Sequence, residues 1–375
     1  MHVIIKPVRD NRALRSFVKF PNALYKGNKY YVPSIFFDEM DTLRSKNPAF
    51  EFSDVALFLA YSGGKVVGRV AAIINHRANS QWKHLEVRYG WFDFVDDMDV
   101  SKALLDAVID FGKQHGMTSV SGPLGFTDFD PEGMLVDGYD QLCTFPLIYN
   151  YPYYKKHMEA LGFEKVVDWL EYKLFIPQTV PEKIGRIADI TEKKYGLKIR
   201  KVRRREVLFG DVGEKIFSLI NQTYCYLYDF TILPEKMVKK YINTYILLLD
   251  LKMVTLVEDR DGNLIAFGVS MPSIVRAVQK CGGRMFPLGW YYILRSMFFK
   301  KEENLELLLV SVRPDYQNTG VLAMLFNDLI PVYNRYGFKY AETNAELESN
   351  IKIRAAWDCF DKVCHKRRRL YGKSI

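Results

Sequence analysis

Apolar positions along the chain recur in two rhythms. Short apolar or alternating runs predict strands over 3–8, 55–61, 66–74, 87–94 and 118–121, with a further one ending at Phe175. Recurrence at three and four residues predicts helices over 11–25, 100–115 and 153–161. The second half repeats this order. A strand over 197–201 precedes helices over 214–227 and 234–249, and the strand 253–257 pairs with 264–271 across Asp261-Gly262, as the first hairpin does across Gly63-Gly64. A strand over 305–312, a helix over 320–335, a strand over 339–343, a helix from about Asn350 and a last strand through Leu370 complete it. Gln114-His115-Gly116-Met117 and Arg335-Tyr336-Gly337-Phe338 end corresponding helices, where glycine accepts the left-handed conformation. The pattern is α/β in two copies, residues 1–177 and 178–375, joined near Pro177 to Pro181. The second copy is longer, and its excess falls after Met271.

Composition adds boundaries. A chain of 375 residues with 49% apolar side chains has enough core for two domains. No uncharged apolar run of membrane-spanning length and no secretory signal pattern is visible. Five scattered cysteines (Cys143, Cys225, Cys281, Cys359, Cys364) lack metal-ligand spacing, as reduced cytosolic thiols do. His76, His84, His115 and His157 form no metal pattern either, so no metal is expected. The cytoplasm is the expected location. A net charge of +9 favours anionic partners, with the densest basic runs at 198–205 and at His365-Lys366-Arg367-Arg368-Arg369; each is either a partner patch or a solvated face.

One stretch carries chemistry. The apolar run 305–312 breaks at Arg313-Pro314, and Gln317-Asn318-Thr319-Gly320 then opens an amphipathic helix. A strand, a tight turn and a helix N-terminus offer free amides and the positive end of the macrodipole to a pyrophosphate. Gly320 marks a place where the backbone approaches something closely. The corresponding turn of the first copy, 95–100, holds Asp96, Asp97 and Asp99 and no glycine. Those carboxylates would repel a phosphate and suit a helix cap, so the first half is expected to bind no such ligand. Glu342, Glu346 and Glu348 follow the second-half helix, and Asp128, Asp130 and Glu132 suit either a cationic ligand or a solvated loop. Residues 281–301 combine aromatic and aliphatic side chains with Arg295, Lys300 and Lys301; they suit a helix packed against the other half, a membrane interface or the wall of an acyl tunnel.

Several strings resemble bacterial tandem GNAT-like acyltransferases. They include Phe20-Pro21-Asn22-Ala23-Leu24-Tyr25, Lys46-Asn47-Pro48, Gly133-Met134-Leu135-Val136-Asp137-Gly138-Tyr139, Tyr149-Asn150-Tyr151-Pro152-Tyr153-Tyr154 and Val312-Arg313-Pro314-Asp315-Tyr316-Gln317. The resemblance implies an α/β fold of two GNAT-like (acyl-CoA N-acyltransferase) units in tandem, with mixed central sheets flanked by helices. It implies transfer of an acyl group from acyl-CoA, acetyl or longer, to an amine lying between the halves, either small or a lipid precursor such as a sphingoid base. The backbone of Val310, Ser311 and Val312 would line pantetheine. Gln317, Asn318, Thr319, Gly320, Val321 and Leu322 would hold the pyrophosphate, with Asn350 nearby. Leu322 stands where the family pattern has glycine or alanine. Glu342 and Glu348 are the implied general bases. Tyr371 is the nearest substitute for the thiolate donor that many relatives place after the position of Asn350. Contact with the inner face of a membrane fits a lipid acceptor. Two alternatives remain: an aminoacyl-tRNA-dependent transferase, in which the basic runs bind nucleic acid, and a non-catalytic acyl-CoA-binding protein.

Overall fold

The computed structural model describes residues 2–145, 147–245, 249–299 and 302–375. In the first half β1 (Ile4–Pro7) leads to α1 (Asn11–Leu24), α2 (Phe36–Thr42) and the hairpin β2 (Ser53–Ser62) and β3 (Lys65–Asn75). Then come α3 (His76–Trp82), β4 (Glu86–Phe94), α4 (Met98–Gln114), β5 (Ser119–Gly122), β6 (Met134–Asp137), α5 (Tyr153–Ala160) and β7 (Glu164–Phe175). The second half opens with α6 (Glu182–Tyr195), β8 (Lys198–Arg200), α7 (Arg204–Phe209), α8 (Val212–Tyr224) and α9 (Glu235–Tyr245). It continues with the hairpin β9 (Val254–Glu258) and β10 (Leu264–Pro272), α10 (Val275–Cys281), α11 (Gly289–Phe298), β11 (Asn304–Val312) and α12 (Val321–Tyr336). β12 (Tyr340–Thr343), β13 (Glu346–Leu347), α13 (Ile351–Ala356) and β14 (Lys362–Ser374) close the chain. Residues 246–248 of the expected helix 234–249, and the expected basic pair Lys300 and Lys301, lie outside the described residues.

Local chemistry explains the main elements. In β3, Val70, Ala72 and Ile74 pack with α4 while Ala71 and Ile73 face α1, the period-two alternation of a strand buried on both sides. α4 presents Val100, Leu104, Leu105 and Val108 as one buried stripe. Gly116 and Gly337 follow α4 and α12 with φ of +76° and +77°, as their matching positions predict. Asp97 caps α4 by accepting the Asp99 amide, the role expected of the acidic turn.

Among the described residues fourteen strands form one sheet, in the order β1-β2-β3-β4-β5-β14-β7-β12-β11-β10-β9-β8, with β6 beside β14 and β13 beside β7. Read inward from either edge, the pairings match. Antiparallel β1–β2 corresponds to β8–β9, parallel β4–β5 to β11–β12, and antiparallel β5–β14 to β12–β7. Each half therefore receives its innermost strand from the other: β14 completes the first sheet and β7 the second.

Buried charge fixes this exchange. Glu171 on β7 is fully buried, meets Lys366 Nζ at 2.9 Å and Arg368 Nε at 2.6 Å, and accepts the Thr144 hydroxyl at 2.8 Å. Burial alone would raise its pKa, but the charges of Arg368 and Lys366 outweigh it and hold the carboxyl below its ordinary range. Asp168, also buried, takes Arg369 Nε at 2.8 Å and Arg367 NH1 at 3.1 Å. Lys366 and Arg368 of the basic run 365–369 thus belong to neither a solvated face nor a partner patch, since they lie inside the sheet at 1% and 0% exposure, while the partly exposed Arg367 and Arg369 are paired with Asp168. Removing one partner of such a group strands the others without water. Glu171→Ala is expected to cost about 3–5 kcal/mol in denaturant unfolding. Lys201→Ala, at the surface pair with Asp328, should cost at most about 1 kcal/mol.

Candidate active site

A cavity of about 1480 Å³ opens between the halves. One wall is β11, and a parting of strands makes it accessible. β11 pairs with β12 only over 304–307, while its pairing with β10 runs on to Val312. Residues 308–312 line the cavity where β12 has turned away, so Val310, Ser311 and Val312 are brought together there. The Val310 carbonyl accepts the Tyr224 hydroxyl at 2.9 Å, and the Ser311 and Thr223 hydroxyls are 2.7 Å apart, so α8 holds this stretch in place.

β11 runs directly into the loop ahead of α12. Gln317, Asn318, Gly320, Val321 and Leu322 line the cavity, as does Asn350, whose side chain caps α13 by accepting the Ile353 amide. No side chain caps α12; the Ala323 amide donates to the Gly320 carbonyl at 2.9 Å, and the Val321 and Leu322 amides ahead of it are left to a ligand or water. Thr319 lies outside the lining; its hydroxyl donates to the Tyr316 carbonyl at 2.6 Å and its carbonyl accepts from Thr191. Gly320 has φ +95°, and a Cβ there would lie 2.5 Å from Thr191 Oγ1 and 2.7 Å from Ile187 Cγ2. The close approach that this glycine allows is therefore to α6. Leu322 packs into the core shared by α6 and α12.

The expected catalytic residues are spread more widely, and none of Glu342, Glu348 and Tyr371 lines the cavity. Glu342 receives Lys366 Nζ at 3.3 Å. Glu348 meets Lys165 at 2.8 Å and accepts the Asp168 amide. Tyr371 is buried opposite Gly122 in the first-half sheet.

Three other groups stand out. Glu346 lines the cavity; its Oε1 accepts the Trp357 indole N–H at 2.8 Å, while Oε2 is buried with no hydrogen-bond partner of good geometry among the described residues. Burial pushes its pKa up to about 7 against the pull of Trp357 and Lys362. Tyr224 also lines the cavity, and burial pushes its hydroxyl up to about 12, so it stays protonated. Glu306, across the strand pairing from Glu342, is pushed up to about 8 by burial and by Glu342, with the Ser273 hydroxyl at 2.9 Å opposing. A lone glutamate inside the apolar run 305–312 was the visible signal for Glu306. Nothing local signals Tyr224, which reaches β11 from another helix.

The cavity lining also includes the carboxyls of Asp38, Asp128, Asp130 and Glu132. Burial raises Asp128 to about 7 and Asp130 to about 6, although the first accepts the Thr231 amide and the second the Phe126 and Thr127 amides. Nearby, His84, Glu86 and Asp229 bring ligand atoms within 4.8 Å of one another. Arg88 pairs with Asp229 at 2.8 Å, which offsets the negative charge a cation would need. All five cysteines are free thiols.

Solved structures share this architecture. A tandem GNAT protein from the clavulanic acid biosynthesis pathway aligns with a TM-score of 0.57 at 11% identity, over 100% of this chain and 98% of that one. A GCN5-related N-acetyltransferase from Sphaerobacter thermophilus gives 0.51 at 12% identity, over 99% and 95%. The chain has the tandem GNAT fold. In sequence, Protein YghO of Escherichia coli is 24% identical over 377 residues, 99% of this chain and 95% of that protein. Bacterial ceramide synthase of Caulobacter vibrioides is 24% identical over 384 residues, 98% and 97%. No family model matches the sequence.

The raised carboxyl of Glu306 has a measurable consequence. Between its ordinary value of 4.5 and about 8, folded Glu306 keeps a proton that the unfolded chain releases. Its contribution to stability therefore falls as pH rises through that window, by at most about 1.4 kcal/mol per unit. Glu306→Gln should flatten the decline of the denaturation midpoint across the window; equal slopes would contradict the assignment.

Proposed function

We propose that the chain is an N-acyltransferase moving an acyl group from acyl-CoA to an amine held between the halves. The observation that carries this is the parting of β11 from β12 where it leads into the uncapped start of α12, all on one cavity wall. Pantetheine would lie along Val310, Ser311 and Val312, and the pyrophosphate on the amides of Asn318, Gly320, Val321 and Leu322, near Asn350; the Gln317 and Thr319 amides already donate to the Pro314 and Tyr316 carbonyls. The general base is Glu346 in this reading, because Glu342 and Glu348 are committed to Lys366 and Lys165. Ionised Glu346 takes a proton from the acceptor ammonium. The freed amine lone pair attacks the thioester carbonyl, the C–N bond forms, and the C–S bond breaks with its electron pair leaving on sulfur. The Tyr224 hydroxyl, rather than Tyr371, turns from the Val310 carbonyl to hydrogen-bond the departing thiolate and supplies its proton, and the second proton lost from the amine nitrogen as the amide forms restores that hydroxyl.

The substrate follows from the cavity. Its volume exceeds the range of about 300–1,000 Å³ usual for small ligands, which supports a long acyl chain or a lipid amine such as a sphingoid base. The name of the Caulobacter relative points the same way. A charged-tRNA donor loses support, since one of the two basic runs is committed to buried ion pairs.

Calorimetry with CoA, acetyl-CoA and palmitoyl-CoA tests the donor. Asn318 already has φ +64° and is exposed, so Asn318→Asp adds charge at the helix start without a clash. It should weaken CoA binding roughly tenfold or more and leave the melting temperature unchanged or higher; undiminished binding would move the cofactor elsewhere. Glu346→Gln should lower kcat by about 10²–10⁴ while CoA affinity survives, and should remove the rise of kcat/KM through pH of about 7. A retained rise would assign the base to another group.

A further inference from the structure

The segment from α10 to α11 presents two different faces. Inward, Ile293 and Met297 pack in a core with Tyr25, Val32 and Leu135 of the first half. Outward, Phe286, Leu288, Trp290, Tyr291, Leu294 and Phe299 stand exposed, Phe286 at 71% and Phe299 at 85%. The Phe37 ring of α2 joins them, 6.4 Å from that of Phe286. A contiguous aromatic surface of this kind marks a partner. Charge narrows the choice: residues 273–301 contain six Lys or Arg and no Asp or Glu. Arg276, Arg284 and Arg295 are exposed beside the aromatics. A second copy docked here by a two-fold axis would set these charges against one another. A negatively charged lipid surface complements them, and Trp and Tyr favour the headgroup boundary.

The surface also lies on the back of the cavity wall. Pro33, Ile35 and Asp38 line the cavity, while the Phe36 amide between them donates to the Gly283 carbonyl at 2.9 Å and Phe37 turns outward to Phe286. We infer that the outer face of α10–α11, with Phe37, docks on an anionic bilayer, so that the wall at 33–38 faces the lipid. Long-chain substrates then exchange between bilayer and cavity without crossing water. The inference deepens the lipid reading above. Its test needs no turnover, so docking and acyl transfer succeed or fail separately.

The measurement is flotation of the full chain with phosphatidylcholine vesicles, with and without phosphatidylglycerol. The protein should float with the anionic vesicles, and less so at high salt. Trp290→Ser with Leu294→Ser should lower the partition by about tenfold or more, and Arg284→Ser with Arg295→Ser by roughly fivefold per arginine. Phe209→Ser, at an exposed aromatic outside the segment (84%), should float as the parent does. All these side chains are exposed, so unchanged melting temperatures verify folding. Absence of flotation, or flotation indifferent to both double variants, overturns the inference. Concentration-dependent self-association that Trp290→Ser with Leu294→Ser abolishes, without vesicle binding, overturns it in favour of a second copy.

Discussion

At the centre of the sheet, two strands from opposite halves lie side by side, and three fully enclosed charges hold them there. Glu171 binds Lys366 and Arg368 at once, with the Thr144 hydroxyl filling its remaining capacity. Taking these ions out of water is costly, and a well-packed apolar replacement can be as stable. Their value lies in register. A one-residue slip of β14 would turn Lys366 and Arg368 away from Glu171 and Arg367 and Arg369 away from Asp168, breaking the packed ion pairs on both faces at once. The alternation in β14 has the same logic: Lys366 and Arg368 reach Glu171, while Arg367 and Arg369 reach Asp168 on the other side.

The cavity depends on this register. β12 lies against β7, and β11 lies against β12 for only four residues before diverging. The place of divergence, and so the exposed stretch 308–312, is set by how far β12 runs beside β7 before the chain turns into β13. Lys366 also reaches Glu342, whose neighbour across the strand pairing is Glu306. The charges that lock the exchanged strands thus continue into the strand that leads to the α12 loop.

Much of the architecture was legible in the sequence, because its causes are local. Hairpin glycines, helix-ending glycines and apolar periods gave the element order and the duplication. The helix 182–195 received no element in the sequence reading, although Pro181 and apolar positions four apart at Ile184 and Ala188 announce it. The exchange of strands was invisible, since antiparallel pairing between distant segments leaves no periodic trace. For the same reason 365–369 read as surface: its acidic partners, Asp168 and Glu171, belong to the other half. The loop 317–322 was found from its own residues, but the neighbour that demands Gly320 is the overlooked α6. Glu346 and Tyr224 meet the same cavity only after α8 folds onto β11, which no spacing along the chain encodes.

The exchange has a mechanical consequence. Domains joined by one linker move about a hinge, and many enzymes open a cleft that way. Here the halves are laced through each other at two strands, so spreading them would shear a continuous sheet and expose paired ions. The cavity between them has fixed walls. What enters or leaves must pass by local motion of the helices and loops at its rim, which makes those rim segments, rather than any swing of the halves, the gatekeepers of exchange.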